Sequence, residues 1–306
     1  MKSDIGSADS HPGDAGAGSV RFERRGDIGF LTFDRPAARN ALTPAMYEQL
    51  SAALEQIAAQ AVVADRTSPA RSGDRPGAAA VERVARQAGE SKDDHARVRV
   101  LVLRGEGGTF VAGTDISSFT AFRSADDGLR YESRLDEVVA ALEALPIPTV
   151  AVVERWAAGA GLLLAAACDL RVCTPGARFG APIARTVGNC LSMANTARLL
   201  AHFGVARTRL LLLAADFIGA EEAAAAGFVL EVVPAARLDA RVAELCERLA
   251  SHAPITMAVS KEAIRRIAAG GLPNGDDLIR RAYGSRDFQE GVAAFLAKRP
   301  PHWEGR

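Results

Sequence analysis

Two segments of this sequence run from an apolar strand through a turn of small residues into a helix. The first is Phe110-Val-Ala-Gly-Thr-Asp-Ile116, and the second runs from Trp156 through Gly159-Ala-Gly161 to Asp169. A helix that begins at such a turn has backbone N–H groups directed outward at the positive end of its dipole. Two such turns in one chain therefore predict a pair of backbone donors suited to stabilising an oxyanion.

The composition excludes several classes of protein. At 306 residues, 48% of them hydrophobic, the chain can bury a substantial core in one large domain, alone or with an appendage. Its 37 basic and 37 acidic residues balance, so we expect neither nucleic acid nor an anionic membrane as a partner. No apolar run reaches the roughly 18 residues of a membrane-spanning helix. Residues 1–19 lack the basic and apolar regions of a secretory signal, so the expected compartment is the cytoplasm.

The cysteines and histidines give no sign of a metal site. The four cysteines show no CxxC spacing and lie mostly among apolar or small residues, which is typical of buried free thiols. The five histidines are scattered and form no HxxH or HExxH pattern. We therefore expect no metal.

The hydrophobic pattern predicts an α/β layered fold, because short apolar strands alternate with helical patterns and the second half is mostly helical. The predicted strands are 20–23, 28–33, 98–103, 148–153 and 170–173. Thr43 and Pro44 begin the first predicted helix as N-cap and first helical residue. Composition rich in Gly, Ser, Asp and Pro predicts a disordered tail at 1–18 and a flexible surface insertion at about 60–97.

Four segments in this order resemble the crotonase (enoyl-CoA hydratase/isomerase) family, and the resemblance runs from about Val20 to Trp303. They are Arg35-Pro-Ala-Ala-Arg-Asn-Ala-Leu42, the turn at 110–116, the segment from Phe217 through Gly227 to Pro234, and Gly291-Val-Ala-Ala-Phe-Leu-Ala-Lys-Arg299. The resemblance implies an α/β fold, a spiral of ββα repeats with a helical C-terminal region. It divides the chain into a core at 19–215 and a trimerisation and CoA-binding region at 216–306. A homotrimer or hexamer is the implied assembly.

The chemistry implied by this resemblance is stabilisation of a thioester enolate by two backbone N–H groups. The residues that match the donors are Ala112 and Ala160, and Ala160 keeps its N–H although it stands where the family has the central glycine of its GGG turn. The resemblance also implies a set of residues that contact the acyl-CoA: Ala38, Asn40, Ala41, Gly113, Asp115, Gly159, Gly161 and Lys298. The aspartate of this turn usually has a structural role, and the alternative for Lys298 is a solvated surface charge. Because coenzyme A arrives as part of the substrate, no separate cofactor is expected.

The sequence departs from the hydratase pattern at the two positions where hydratases carry glutamates that move protons. Leu163 and Ile183 stand there, and neither side chain can transfer a proton or hold a water. The candidate replacements are Glu132 and Asp136, which lie four residues apart and so share one helix face. The favoured alternative for each is an ordinary solvated charge on that face. We expect an arginine, Arg134 or Arg185, to pair with these carboxylates.

Arg185 has a second interpretation, because it belongs to a polar segment expected to overhang the pocket. There it could bind a carboxylate or another polar end of the acyl group. The alternative is that Arg185 forms a structural ion pair.

Two functions remain open at this point. The first is an acyl-CoA-processing enzyme, a lyase or isomerase of the kind found in fatty acid metabolism, with non-standard acid/base residues. Isomerisation, hydrolysis, decarboxylation and atypical hydration share the enolate step, so the turns do not separate them. The alternative is a catalytically silent paralogue that binds CoA thioesters. A P-loop or dinucleotide protein is excluded, because GxxxxGK[ST] is absent and Gly105-Glu-Gly-Gly108 does not open a helix.

Overall fold

The structure is a computed structural model that describes residues 16–61, 98–252, 254–268, 283–284, 286–299 and 301. The predicted tail at 1–18 lies outside these residues except for 16–18, and the predicted insertion at 60–97 lies outside them except for 60–61. Both therefore stay predictions.

Strands and helices are interspersed along the described part of the chain. The strands are β1 Ser19–Arg25, β2 Ile28–Asp34, β3 Val100–Gly105, β4 Thr149–Val153, β5 Trp156–Ala158, β6 Leu170–Cys173, β7 Arg178–Gly180, β8 Phe217–Gly219 and β9 Glu231–Val232. The helices are α1 Pro44–Ala61, α2 Ala125–Glu143, α3 Ala160–Ala167, α4 Ile183–Thr186, α5 Met193–Leu212, α6 Ala220–Ala225, α7 Ala235–Ala250, α8 Pro254–Ala268 and α9 Arg286–Leu296.

A six-stranded sheet in the order β1-β2-β3-β4-β6-β9 forms the centre of the fold. Its first pair is an antiparallel hairpin, and every later pair is parallel. Apolar residues on consecutive positions of the inner strands bury both faces, as parallel sheets require. In β3, Leu101 and Leu103 pack with α1, α2 and α3, whereas Val100 and Val102 pack with α7 on the other face. A smaller sheet in the order β5-β7-β8 lies beside it.

Two parallel bridges beyond the main sheet bring distant segments together. Leu42 forms an isolated bridge with Thr114, and Val111 forms another with Ala157. The segment that follows β2, the turn at 110–116 and β5 therefore run side by side. This arrangement positions the candidate site.

Several sequence predictions are confirmed in detail. The strand at 170–173 is β6 as predicted, and α1 begins at Pro44, with the Thr43 hydroxyl accepting the Met46 N–H at 3.2 Å. In the helical second half, α5 bends at Gly204 because that residue has φ of 67°.

The predicted boundary between residues 215 and 216 does not separate the sheets. β8 pairs with β7, and β9 pairs with β6, so both strands after the boundary belong to the sheets that precede it. The helical region begins with α7. Its role in trimerisation and CoA binding stays a prediction.

Candidate active site

The two small-residue turns lie against each other. The Val111 N–H donates to Trp156 O at 3.2 Å, and the Ala158 N–H donates back to Val111 O at 3.0 Å. Gly113 and Gly159 come shortly after the bonded residues in the sequence, and their φ angles are 116° and 52°. A Cβ on Gly159 would lie 3.6 Å from Gly113 Cα, so the two glycines face each other. Their backbone conformations favour glycine, which has no Cβ to strain them.

Each of these glycines is followed by a residue whose backbone N–H has no partner among the described residues. Thr114 follows Gly113, and Ala160 follows Gly159 as the first residue of α3. Within the described ranges, neither N–H has a hydrogen-bond acceptor. The N–H of a first helical residue has no partner in its own helix, and the helix dipole adds positive potential there. Two such N–H groups in adjacent turns are suited to binding an anion.

The N–H of Ala112, which the sequence predicts as a donor, is engaged elsewhere. It donates to Arg39 O at 3.1 Å and so ties the first turn to the segment after β2. Ala112 is partly exposed, but its N–H already has an acceptor. The geometry therefore favours Thr114 as the first donor.

The segment 35–42 is held by the buried side chain of Asn40, which is fully shielded from solvent. Its Oδ1 accepts the Arg35 N–H at 2.8 Å, and its Nδ2 donates to Glu106 O at 2.9 Å and to Thr109 O at 2.6 Å. The Asn40 side chain therefore has a structural task. Ala38 and Ala41 are partly exposed, and their contact with the acyl-CoA stays a prediction.

Asp115 follows Thr114 and also has structural partners. Its carboxylate forms a 2.8 Å ion pair with Arg35 and accepts the Ser117 N–H at 3.0 Å, capping the short 3₁₀ helix that follows. Burial alone would raise the pKa of Asp115, but the hydrogen bonds from Ser117 and the charge of Arg35 outweigh it and lower the pKa. Asp115 is therefore held ionised as part of the turn.

Two tyrosines meet at the side chain of Thr114. Its Oγ1 lies 2.7 Å from the Tyr47 hydroxyl and 2.6 Å from the Tyr131 hydroxyl, and these rings come from α1 and α2. Burial raises the pKa of Tyr47 to about 12 and the pKa of Tyr131 well above its ordinary value, so both hydroxyls stay protonated. Sequence reasoning missed this cluster, since no local signal joins α1, the turn and α2.

Glu132 and Asp136 share one face of α2, as the spacing predicts. Glu132 is fully buried, and its carboxylate accepts the Tyr283 hydroxyl at 2.6 Å and the Ser192 N–H at 3.1 Å. Burial raises the pKa of Glu132 to about 8, and the charge of Asp136 acts in the same direction. A buried carboxyl with such a raised pKa is a candidate for proton transfer.

Asp136 is tied to the start of α5. Its carboxylate accepts the Ser192 hydroxyl and the Asn195 Nδ2, both at 2.7 Å, while the Ser192 Oγ accepts the Asn195 N–H as the N-cap. Burial raises the pKa of Asp136 above its ordinary value, although the hydrogen bond from Ser192 opposes this. These contacts fix the loop that also supplies the Ser192 N–H to Glu132.

The expected pairing of these carboxylates with Arg134 or Arg185 is wrong. Arg134 lies 3.4 Å from Glu48 instead, because its position on α2 faces α1. Arg185 is exposed on α4, and within the described ranges no carboxylate lies within ion-pair distance of it. The carboxylates of Glu132 and Asp136 accept hydrogen bonds from hydroxyl, amide and backbone donors instead of from arginine.

The remaining predicted site residues have simpler surroundings. Gly161 is buried in the first turn of α3, and Leu163 is fully shielded two residues later. Ile183 is partly exposed at the start of α4. Lys298 is exposed just after α9, with φ of 51°.

Glu154 and Arg155 lie just before the second turn. The Glu154 carboxylate binds the Arg104 guanidinium through two hydrogen bonds of 2.9 and 2.7 Å, which links β3 to the loop before β5. Arg155 is exposed.

No cluster of three or more potential metal ligands occurs among the residues that the structure describes. In the same ranges, no helix is long and apolar enough to cross a membrane.

The family described as Enoyl-CoA hydratase/isomerase matches residues 73–306, more than half of the chain. The chain belongs to the enoyl-CoA hydratase/isomerase (crotonase) family, which confirms the resemblance. It is 31% identical over 296 residues to the "Probable enoyl-CoA hydratase" of Rhodobacter capsulatus, covering 94% of this chain and 98% of that relative. It is 29% identical over 280 residues to the 2,3-dehydroadipyl-CoA hydratase of Escherichia coli K12, covering 90% and 94%.

The fold prediction is also confirmed. A solved structure of methylmalonyl-CoA decarboxylase in complex with 2-nitronate-propionyl-CoA matches with a TM-score of 0.75 at 22% identity, covering 94% of this chain and 98% of that chain. The chain therefore has the crotonase fold, with its helical C-terminal region.

Proposed function

We propose that this protein processes an acyl-CoA thioester and stabilises the thioester enolate with the backbone N–H groups of Thr114 and Ala160. One observation carries the proposal: both N–H groups follow a glycine with positive φ, in turns that face each other, and neither has an acceptor within the described chain. We assign the first donor to Thr114 rather than to Ala112, because the Ala112 N–H already donates to Arg39 O. A single oxyanion donor of this kind contributes about 3 kcal/mol to transition-state stabilisation.

The substrate class rests on family membership together with the two N–H groups of Thr114 and Ala160, here called the oxyanion corner. Two relatives are named for hydration of enoyl-CoA or dehydroadipyl-CoA thioesters. We place the CoA moiety against the backbone of Ala38, Asn40 and Ala41 and near Lys298, and Arg185 is available for a carboxylate at the acyl end. CoA enters with the substrate, so no other cofactor is proposed. A homotrimer or hexamer in the cytoplasm, acting in fatty acid metabolism, completes the proposal.

Glu132 is the proton-transfer group in this proposal. Leu163 and Ile183, at the positions assigned to the hydratase glutamates, have no titratable group. Glu132 is adjacent to Tyr131, whose hydroxyl is 2.6 Å from Thr114 Oγ1, so its helix passes next to the donor turn. With its pKa raised to about 8, the carboxyl holds a proton at neutral pH, which suits delivery of a proton to the enolate. Asp136 supports the loop at Ser192 and is the weaker candidate.

Ala160→Pro tests the oxyanion corner without disturbing the helix. Proline at the first helical position removes only an N–H that has no acceptor in the described part of the chain, and its φ suits that position. We expect the variant to fold and to lose about 100- to 1,000-fold in kcat on an acyl-CoA panel followed by mass spectrometry. Ala160→Gly, which keeps the N–H, should stay within roughly threefold of the wild type (a difference of under about 1 kcal/mol).

Calorimetry on the same samples separates the alternatives. Binding and turnover by the wild type, with turnover lost in Ala160→Pro, support the proposal. Binding of acyl-CoA without turnover of any thioester would instead identify the silent binder. Equal turnover by Ala160→Pro and wild type would refute the oxyanion corner.

A further inference from the structure

We propose that Tyr283 is a positioning residue for Glu132: its ring docks in a notch at Gly128 of α2, and its hydroxyl holds the Glu132 carboxyl. The C-terminal part of the chain thereby completes the proton-transfer site on α2. The catalytic consequence rests on the function proposed above, whereas the docking and its effect on Glu132 do not.

Gly128 provides the space for the ring. A Cβ at Gly128 would lie 1.9 Å from Tyr283 Cγ and 2.3 Å from Tyr283 Cβ, so only glycine admits the tyrosine here. Glycine inside a helix costs about 1 kcal/mol relative to alanine, so its presence in α2 calls for a packing reason. Gly128 and Glu132 are four residues apart on one helix face, and the docked ring therefore points its hydroxyl towards the carboxyl.

The ring is held on its other sides by an aromatic cluster. Its centroid lies 4.7 Å from that of Phe288, 6.0 Å from Phe122, 6.2 Å from Tyr131 and 6.4 Å from Phe119. Only 1% of Tyr283 is exposed. Packing on this scale fixes the rotamer, so the 2.6 Å bond to Glu132 is a stable geometry of the site.

The titratable groups that face Glu132 show why the Tyr283 hydroxyl matters for the pKa of this carboxyl. Asp136 lies on the same helix, Cys190 on the loop before α5, and Tyr47 on α1. In the described part of the chain, no cation is among the groups that act on Glu132. The donors to the carboxylate are the Tyr283 hydroxyl and the Ser192 N–H, and both lower the pKa against the effect of burial. Loss of the hydroxyl therefore favours the protonated carboxyl.

Tyr283→Phe is the central variant, because it keeps the ring in the notch and removes only the hydroxyl. We expect the titration of the Glu132 carboxyl, followed by NMR on protein labelled with 13C-glutamate, to move upward from about pH 8 by on the order of one to two pH units. The NMR signal is assigned with Glu132→Gln. Gly128→Ala should shift the titration in the same direction, since the added Cβ displaces the ring.

Phe122→Leu is the matched control, because it removes aromatic packing from the cluster and leaves the bond between Tyr283 and Glu132. It should lower stability without moving the titration midpoint. An unchanged midpoint in Tyr283→Phe, or an equal shift in Phe122→Leu, would overturn the proposal.

Turnover gives a separate readout. If Glu132 acts as a general acid, the basic limb of the kcat profile should move upward in Tyr283→Phe together with the NMR midpoint. A shifted NMR midpoint in a protein that turns over no acyl-CoA would retain the positioning of Glu132 and reject the proposed function. A shifted kcat limb with an unchanged NMR midpoint would reject the role of Tyr283.

Discussion

Arg35 and Asp115 form a 2.8 Å ion pair that joins the segment after β2 to the residue after the first proposed donor. Arg35 is 9% exposed and Asp115 is 21% exposed, so the pair is largely shielded from solvent. The same guanidinium donates to Gly16 O and Ala41 O. The Arg35 side chain therefore connects the segment predicted to bind CoA to the turn predicted to bind the thioester.

Asp115→Ala should lower the free energy of unfolding by roughly 2–4 kcal/mol, because it removes the carboxylate from a largely buried guanidinium. Asp34→Ala is the control, since its partner Arg21 is 57% exposed and exposed pairs contribute about 1 kcal/mol or less. Urea unfolding followed by circular dichroism measures both. Equal losses in the two variants would contradict the structural role of Asp115.

Gly113→Ala and Gly161→Ala should both destabilise the protein, for different reasons. At Gly113 an added Cβ would meet only Ala158 O at 3.6 Å, so the cost is backbone strain at φ of 116°, roughly 1–3 kcal/mol. At Gly161 the Cβ would lie 2.0 Å from Val111 O, a clash that requires α3 to move. We expect the larger loss in the melting temperature for Gly161→Ala. A larger loss in Gly113→Ala would show that backbone strain at Gly113 costs more free energy than the steric clash at Gly161.

The features predictable from the sequence are those set by local patterns. β6 and the start of α1 follow from runs of apolar residues and from the Thr43-Pro44 cap. The availability of a backbone N–H is not local: Ala112 and Thr114 look equivalent until Arg39 O is placed beside one of them. The partner of Glu132 could not be predicted from local patterns either, because Tyr283 lies 151 residues further along the chain.

Glu132 should make the stability of the protein fall as pH rises. Its pKa is about 8 in the folded chain against 4.5 for the ordinary carboxyl, so the folded protein holds the proton more tightly than the unfolded chain. This contribution is complete below pH 4.5 and is lost as pH rises through pH 8, by up to about 1.4 kcal/mol per pH unit.

The measurement is the difference in unfolding free energy between wild type and Glu132→Gln across this pH range, which cancels the other titrating groups. The difference should fall with pH and level off above pH 8. A difference that rises with pH would show that the folded protein prefers ionised Glu132, which would remove the case for a general acid.

Arg171 should stabilise the end of α3 opposite to Ala160, the second proposed donor. It is 6% exposed, and its guanidinium donates to the carbonyls of Ala165, Cys168, Asp169 and Phe228. The last carbonyls of a helix have no intrahelical partner and lie at the negative end of the helix dipole. A buried cation there donates hydrogen bonds to these carbonyls and offsets their negative potential. Because α3 is anchored at this end, its first N–H is held against the turn at Gly113.

Arg171→Leu should therefore lower the free energy of unfolding by roughly 3–5 kcal/mol, since it leaves several buried carbonyls without donors. Arg171→Lys should recover part of the loss, because one ammonium group cannot reach all four carbonyls. Arg207→Leu serves as the control, since Arg207 is 38% exposed in a surface pair with Glu222 and should change stability by about 1 kcal/mol or less. Urea unfolding of the three variants tests the anchor, and a loss in Arg171→Leu no larger than in Arg207→Leu would contradict it.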